Sequence, residues 1–439
     1  MAKPKKKYET LTKTQKSFIL KKLGIKSILE VDTEILKQLK ESLKKLKDNR
    51  VQGRITYKLW DIIVCTVIAS FADNNEWREI HQFVEDNYLW FKSFLQMTGG
   101  VPSVNTFERV NSLINPNELN AVLFDLFKTL TNPVDDGKKQ MNFDGRNNNG
   151  SGRKNTLLNE EVSSLNCLNV YSSEYMYCVY TKQISEKTNE IPAVRELITG
   201  LDLTGVTVTW DALNSQVENV KTVIDAGGDY TIPIKRNQGT LYQDLVDYFD
   251  EKNCEQIVAG NSKSEYLLKI EKSHSSIIQY EYFQTSDTDW YHKKEEWSGM
   301  KTIGLVKKTI TKEIVTYEEV KRNGKITKEK VKKIVTTTEK RYYISSLGVN
   351  IGVFEETIRG HWSIENKVHW HLDFTFRQDD NTTTNKKALL NLEIIHKFVL
   401  AILTRVQPEY KRSLKNIRKH LSNNFSEYFP ELLCYLLLH

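Results

Sequence analysis

Three acidic residues lie where a strand or helix could hold a carboxylate rigidly. Asp144 follows the strand-like run Met141-Asn142-Phe143, and it precedes Gly145 and a polar loop from Arg146 to Asn155 carrying Gly150, Gly152, Arg153 and Lys154. Asp211 closes the run Val206-Thr207-Val208-Thr209-Trp210, directly before Ala212. Glu365 sits within His361-Trp362-Ser363-Ile364-Glu365-Asn366-Lys367-Val368-His369-Trp370. Carboxylate oxygens suit hard divalent cations, and a pair of such ions can activate a water and stabilise the leaving oxygen of a phosphodiester. Each residue also has a plainer role. Asp144-Gly145 reads as a turn, Asp211 as the N-cap of a helix over residues 212–226, and Glu365 as half of a surface ion pair. A rival chemistry is zinc, because on a helix His361 and His369 share a face with Glu365. With no H-E-x-x-H present, and Trp362, Trp370 and Phe374 nearby, packing is the alternative role for these histidines.

The elements that must position these residues follow from periodicity. Ile35, Leu36, Leu39, Leu43 and Leu46 recur at three- and four-residue steps, predicting an amphipathic helix with lysine on its other face. Further helices are predicted over residues 59–71, 80–91, 104–114 and 119–130, separated by Gly99-Gly100 and Asn115-Pro116. A polar linker then leads into short β-rich runs at 140–143, 165–171, 175–184 and 206–210, interleaved with helices near Pro192 and over 212–226, before a last run at 230–235. That rhythm indicates an α/β sheet with parallel elements. From 240 to 347 the chain is strand-rich, and Asn323-Gly324 between β-branched runs marks a tight hairpin. Helical periodicity returns from about Phe354 and runs on through Ala388 to Leu403. The expected organisation is a basic helical segment (1–50), a helical N-terminal domain (51–131), an α/β core in two parts (140–239 and 348–405), a β-rich insertion between them (240–347) and a helical tail (406–439).

Charge is uneven along the chain. Residues 1–50 hold 15 Lys or Arg against 6 Asp or Glu, residues 306–341 hold 12 against 5, and the remainder is net acidic within a total of +7. Two basic extensions, taken here as Lys3 to Lys47 and Lys307 to Arg341, on an acidic body suit an enzyme that gathers carboxylates centrally and grips a polyanion peripherally. The five cysteines are scattered with no C-x-x-C pair, which argues against a zinc ribbon and a disulfide framework and suits a reducing cytoplasm. The most apolar stretch, Leu59 to Ala72, is too short to span a bilayer, and the N-terminus has no secretory apolar core.

The segment from Arg359 to Asp380 resembles, almost position for position, the glutamate-bearing helix of the DDE transposases of bacterial insertion sequences of the As type, the H-repeat-associated family. Blocks in the same order carry the resemblance further: Lys187-Thr188-Asn189-Glu190-Ile191, Lys235-Arg236-Asn237-Gln238-Gly239-Thr240-Leu241-Tyr242, and Arg341-Tyr342-Tyr343-Ile344-Ser345-Ser346-Leu347. Gly100-Val101-Pro102-Ser103, with Thr106-Phe107 and Arg109-Val110, resembles its N-terminal helical domain, so the likeness runs from about Tyr57 to Leu403. Departures exist: Asp144-Gly145-Arg146-Asn147-Asn148-Asn149-Gly150-Ser151 stands where the family usually reads D-G-K-T-x-R-G-S. Ile358, His361 and Leu372 stand where the wider superfamily has Tyr, Arg and Lys.

The resemblance implies an RNase H-like catalytic core with a β-rich insertion, preceded by an all-helical domain. It implies Asp144, Asp211 and Glu365 as catalytic metal ligands for Mg²⁺, with Mn²⁺ as substitute. Asp144 would bridge two ions, Asp211 and Glu365 would each complete one, and His361 and His369 would support Glu365. It further implies DNA contacts from Arg146, Arg153, Lys154, Lys187, Lys235, Asn237, Gln238, Arg359, His361 and Trp362. The partners would be double-stranded DNA, as terminal inverted repeats and target, and a second protomer on paired ends, in the bacterial cytoplasm at the nucleoid and away from membranes. The expected function is element-end cutting and strand transfer. The alternatives are a domesticated DDE endonuclease without transfer, or a catalytically decayed DNA-binding protein.

Overall fold

The structure, a computed structural model, describes residues 11–134, 139–155, 160–184, 190–273, 276–322 and 325–438. The Lys3 to Lys7 tract, Lys187 and the hairpin tip Asn323-Gly324 lie outside the described residues. The chain forms two compact units, one of residues 1–193 with 362–439 and one of residues 194–361. The division between them falls inside the stretch expected as the first part of the α/β core.

The first unit is built around the helix Lys386–Tyr410. Asn385 caps it by accepting from the Ala388 N–H, and 19 of its 25 residues are buried. A helix buried on all sides must be surrounded by other elements. Val104–Leu113, Pro116–Leu130 and Leu59–Phe71 pack on it, with the C-terminal helices Leu414–Asn423 and Phe425–Leu436. Leu59–Phe71 has the predicted bounds, and all of it but Trp60 is buried, Asp61, Thr66 and Ser70 included. Asn115-Pro116, read as a turn, starts a helix: Asn115 caps and Pro116 takes the first helical position. Val31–Leu43 buries Ile35, Leu36, Leu39 and Leu43 in this core, as the periodicity predicts, with Val31 added at its start, while Leu46, expected on the same helix, is buried just beyond its end.

The same unit holds an antiparallel sheet of β1 (Gln140–Asn148), β4 (Leu165–Ser172) and β5 (Tyr177–Ile184), in the order β5-β4-β1, with a small ribbon of β2 (Arg153–Asn155) and β3 (Glu160–Val162). β1 is the main departure from the sequence reading. Instead of ending at Asp144, it continues to Asn148, with Asp144 opposite Asn169 and Asn148 opposite Leu165. With side chains alternating between faces, Gln140, Asn142, Asp144, Arg146 and Asn148 share one face. Apart from the half-buried Asp144, all of them are buried.

The second unit carries β6 (Thr207–Trp210), β7 (Asp229–Ile234), β8 (Ser264–Ser273), β9 (Ser276–Thr285), β10 (Thr302–Arg322) and β11 (Lys325–Ser345), in the order β6-β7-β11-β10-β9-β8. β6 and β7 are parallel and the other pairs antiparallel. The strand-rich segment is therefore not a separate sheet, because β11 pairs with β7 through Tyr342–Ser345. β10 and β11 stay in register from Thr302↔Ser345 to Arg322↔Lys325, whereas β9 stops at Lys312 of β10. Beyond that point the pair runs on as a basic two-stranded ribbon. The helix expected from residue 212 starts only at Val217 and ends at Asp225.

Candidate active site

Asp144 is fixed by groups far from it in sequence. His369 Nδ1 lies 3.3 Å from Asp144 Oδ2, and His369 Nε2 lies 3.2 Å from the side-chain nitrogen of Asn169, the cross-strand neighbour of Asp144. Asn169 Oδ1 accepts from Lys397 Nζ at 2.5 Å and from the Thr181 hydroxyl at 3.2 Å. Lys397 pairs in turn with Glu393 Oε1 at 2.7 Å, one helical turn away. An ammonium only donates, so Asn169 must present its oxygen to Lys397 and its NH₂ to His369. His369 then accepts at Nε2, which leaves its proton on Nδ1, the nitrogen that faces Asp144 Oδ2.

This chain of partners is anchored by a buried charge cluster. Arg146, two residues from Asp144 on the same face of β1, pairs with Asp373 and with Glu393 at 3.3 Å, and donates to Gln378 at 2.9 Å. Burial pushes the Glu393 carboxyl up, but Lys397 and then Arg146 outweigh it and hold it below its ordinary value. Burial likewise opposes the Arg146 charge, and Glu393 and Asp373 more than restore it. Arg146, expected at DNA, is here an internal ion-pair partner. Asp373 and Glu393, both more than 220 residues further along the chain, compensate its charge.

Two glycines beside the strand allow close approach. A Cβ at Gly145 would collide with the Glu190 carboxylate, and one at Gly150 with the Asp379 carbonyl. Glu190 thus brings a further carboxylate next to the Asp144 strand. It belongs to a block that resembles the family, yet nothing in its spacing assigned it a role.

Glu365 opens a π-helical turn, Glu365–His369, between helices Ile351–Ile364 and Trp370–Phe374. Its carbonyl accepts from the Trp370 N–H, five residues on, and such wide turns recur at functional sites. Ile364, Val368 and Leu372 bury one stripe, leaving Glu365 exposed. Its carboxylate has no protein partner among the described residues. His369 reaches Asp144 rather than supporting Glu365, because the widened turn breaks the α-helical i, i+4 relation. With both ring nitrogens so engaged, His369 does not fit the zinc reading. Among the described residues, no three His, Cys, Asp or Glu side chains gather closely enough to hold a metal ion.

In the second unit, Asp211 sits directly after β6 and caps a turn rather than a helix. Its Oδ1 accepts from the Leu213 N–H at 3.2 Å, the Asn214 N–H at 3.4 Å and the Asn214 side chain at 3.2 Å. The turn is braced from the stretch after β7, where Asn237 donates to the Ala212 carbonyl at 2.7 Å and Gln238 to the Ser215 carbonyl at 2.6 Å. Both residues, expected at DNA, have this bracing role here. Lys235 is exposed. Arg359 is held by Glu271 and by Glu355 at 2.8 Å, with its guanidinium 5.2 Å from the Tyr280 ring centre. His361 is half-buried, and so, in the first unit, is Trp362. In the first unit, Arg153 is exposed and donates to the Thr382 carbonyl, while Lys154 lies on β2.

Comparison with known proteins agrees with the resemblance read from the sequence. Residues 150–402 match the family described as a transposase DDE domain, and residues 40–126 match the domain associated with it. The first match begins just after Asp144. The chain is 26% identical over 370 residues to the H repeat-associated transposase candidate YhhI of Escherichia coli K12, covering 84% of this chain and 91% of that one. It is 26% identical over 399 residues to the transposase candidate YncI of E. coli O157:H7, covering 91% and 95%. The inactive transposase YbfQ of E. coli K12 matches at 30% over 77 residues, 18% of this chain and 92% of its own. No helix among the described residues is long and apolar enough to cross a membrane. With more than half of its length matched to that domain, the chain belongs to the DDE transposase family.

Proposed function

We propose that this protein is the transposase of an insertion sequence, cutting DNA at the element ends and joining the freed strands to target DNA. Its catalytic groups would be Asp144, Asp211 and Glu365 on an RNase H-like core. The observation that carries the reading is Asp144: half-buried on β1, its Oδ2 held by His369, in a chain whose following residues match a transposase DDE domain.

The donor set fits hard divalent cations by its chemistry. Asp144 Oδ1, Asp211 Oδ2 and both oxygens of Glu365 have no protein partner among the described residues, and all are carboxylate oxygens. Their convergence on shared ions is part of the proposal. Bound Mg²⁺, or Mn²⁺ in its place, would activate the attacking water or 3′-hydroxyl and stabilise the leaving oxygen. His369, donating from Nδ1, keeps Oδ1 of Asp144 turned away from itself. The turn after β6 does the same for Asp211, engaging Oδ1 and leaving Oδ2. Since one set of three carboxylates handles one DNA end, two protomers on paired ends form the active species. The basic regions Lys3 to Lys47 and Lys307 to Arg341 hold phosphate.

The test is metal-dependent nicking of a supercoiled plasmid carrying the element ends, followed by strand transfer. Nicking and joining in Mg²⁺, absent in Asp144→Asn, support the reading. Nicking without joining leaves the endonuclease. DNA binding without nicking leaves a decayed binding protein.

A further inference from the structure

Trp370 and Phe374 lie one turn apart on the short helix after the π turn and stack on each other, ring centres 4.8 Å apart and planes inclined by 22°. About half the surface of each is exposed, 51% and 53%. Leu372, between them, is fully buried and Asp373 pairs with Arg146, so the helix is firmly seated with the aromatic pair turned outward. Two adjacent bare rings form an apolar patch that a folded protein has reason to use.

The surroundings of the pair are basic. Lys415 Nζ is 4.9 Å from the Phe374 ring centre. The His371 ring stands edge-on to Trp370 at 4.8 Å, and the same histidine lines an open groove of about 610 Å³ together with Lys367, Lys411 and Arg412. Among the described residues, none of Lys367, Lys411, Arg412 and Lys415 forms an ion pair with a carboxylate. An uncompensated basic groove running into a bare aromatic stack matches a chain of phosphates carrying flat bases. Bases inside a duplex already have both faces covered, so an aromatic platform rewards only unpaired ones.

We propose that Trp370 and Phe374, with the adjoining groove, form a platform for an unpaired stretch of DNA strand, its bases stacked on the rings and its phosphates held by Lys411 and Arg412. This rests on the transposase reading and extends it. Trp370 is five residues beyond Glu365, so the platform would take single-stranded DNA next to the cut.

The experiment compares binding of three probes to the full chain: a blunt duplex, the same duplex with a short 3′ overhang, and that overhang strand alone, with 2-aminopurine in the overhang. Wild-type protein should prefer the overhang probe and quench its 2-aminopurine. Trp370→Ala/Phe374→Ala should weaken overhang binding by about tenfold per stacked base and abolish the quenching, while blunt-duplex affinity and the melting temperature stay as in wild type. Trp370→Phe should keep most of the preference. Lys411→Gln/Arg412→Gln should flatten the single-strand salt slope by about 1.4. Equal binding of blunt and overhang probes by wild type, or a preference that survives the double alanine variant, overturns the platform while leaving the transposase reading intact. A halved particle mass in that variant also overturns it, since the rings would then be covered by a second copy. Failure of wild type to bind any probe sinks both readings.

Discussion

Asp144 and Asp211 both stand on or just after β-strands, yet they are oriented by different means. Asp144 is held through side chains contributed from distant parts of the chain, His369, Asn169, Lys397 and Glu393, all resting on a buried cluster with Arg146 and Asp373. Asp211 is held by donors two and three residues further on, two of them backbone N–H groups. The first arrangement exists only once the strand, the π turn and the central helix are assembled. The second is written into a few residues and forms with the turn. A carboxylate held the first way is sensitive to core substitutions, and one held the second way is insulated from them.

The largest effect is expected where the proposed role is direct. Asp144→Asn, Asp211→Asn and Glu365→Gln should each lower plasmid nicking by about a thousandfold or more, the rate equivalent of several kcal/mol of lost charge stabilisation. DNA binding should survive, because removing a negative charge lessens repulsion of phosphate. A variant that nicks at nearly the wild-type rate in Mg²⁺ removes its residue from the proposed set.

Next in size is the buried pair. Lys397→Met leaves Glu393 with Arg146 as its remaining cation, and breaking a buried ion pair costs about 3–5 kcal/mol. Glu393→Gln/Lys397→Met should recover part of that stability. Nicking should remain impaired in the double variant, because nothing then obliges Asn169 to turn its NH₂ toward His369. Nitrogen NMR of His369 reads this directly: Nδ1–H in wild type, and a shift toward Nε2–H in the variant. Full recovery of nicking along with stability would reduce the pair to a purely structural role.

What was legible in the sequence follows the same contrast. Leu59–Phe71, Val31–Leu43, β4, β5 and the long hairpin declare themselves through local pattern, and so does the strand leading to Asp211. The extension of β1 beyond Asp144 does not. Asp-Gly followed by Arg and three Asn has turn chemistry, and only partners more than 220 residues away make a buried Arg146 tolerable in a sheet. The π turn is equally silent, since its sequence fits an α-helix. The helix expected at residue 212 starts late because the Asp211 carboxylate caps the intervening turn instead. Glu393 and Lys397 do carry a local signal, since they stand four residues apart in the mostly apolar stretch Ala388 to Leu403, where a charged pair needs a buried reason.

A smaller, pH-dependent effect should also separate the two regions. His396 is buried in the first unit against Phe376, with Gln378 2.8 Å from its Nδ1. Burial first, then Arg418 and Arg146, keep it neutral far below its usual 6.5. Below that pH the unfolded chain takes up a proton that the folded chain refuses. Stability of this unit should therefore fall as pH drops through 6.5, by up to about 1.4 kcal/mol per pH unit, and should be flat in this respect above it. Glu393, held below its ordinary 4.5, adds a further loss in more acid solution. In the second unit the described histidines are the exposed His292 and the half-buried His361. Hydrogen exchange between about pH 7 and pH 5 should thus loosen the first unit more than the second, and His396→Gln should remove most of the difference, with His371, which burial also holds below its usual value, keeping a smaller share. Equal loosening of both units would show that the acid response does not arise at His396.

The smallest effect is expected at the support of Asp211. Asn214→Ala removes one of three donors to Oδ1 and leaves the two backbone N–H groups in place. A single hydrogen bond of this kind contributes about 0.5–1.5 kcal/mol, so nicking should fall by less than about tenfold. His369→Ala or Asn169→Ala should cost about 10- to 100-fold, the range seen when a partner of a metal-binding side chain is lost. Both sets belong in one plasmid assay, with melting temperatures measured alongside. Equal losses at Asn214 and His369 would mean that the backbone donors do not suffice to hold Asp211, and that its turn depends on the rest of the unit as Asp144 depends on its core.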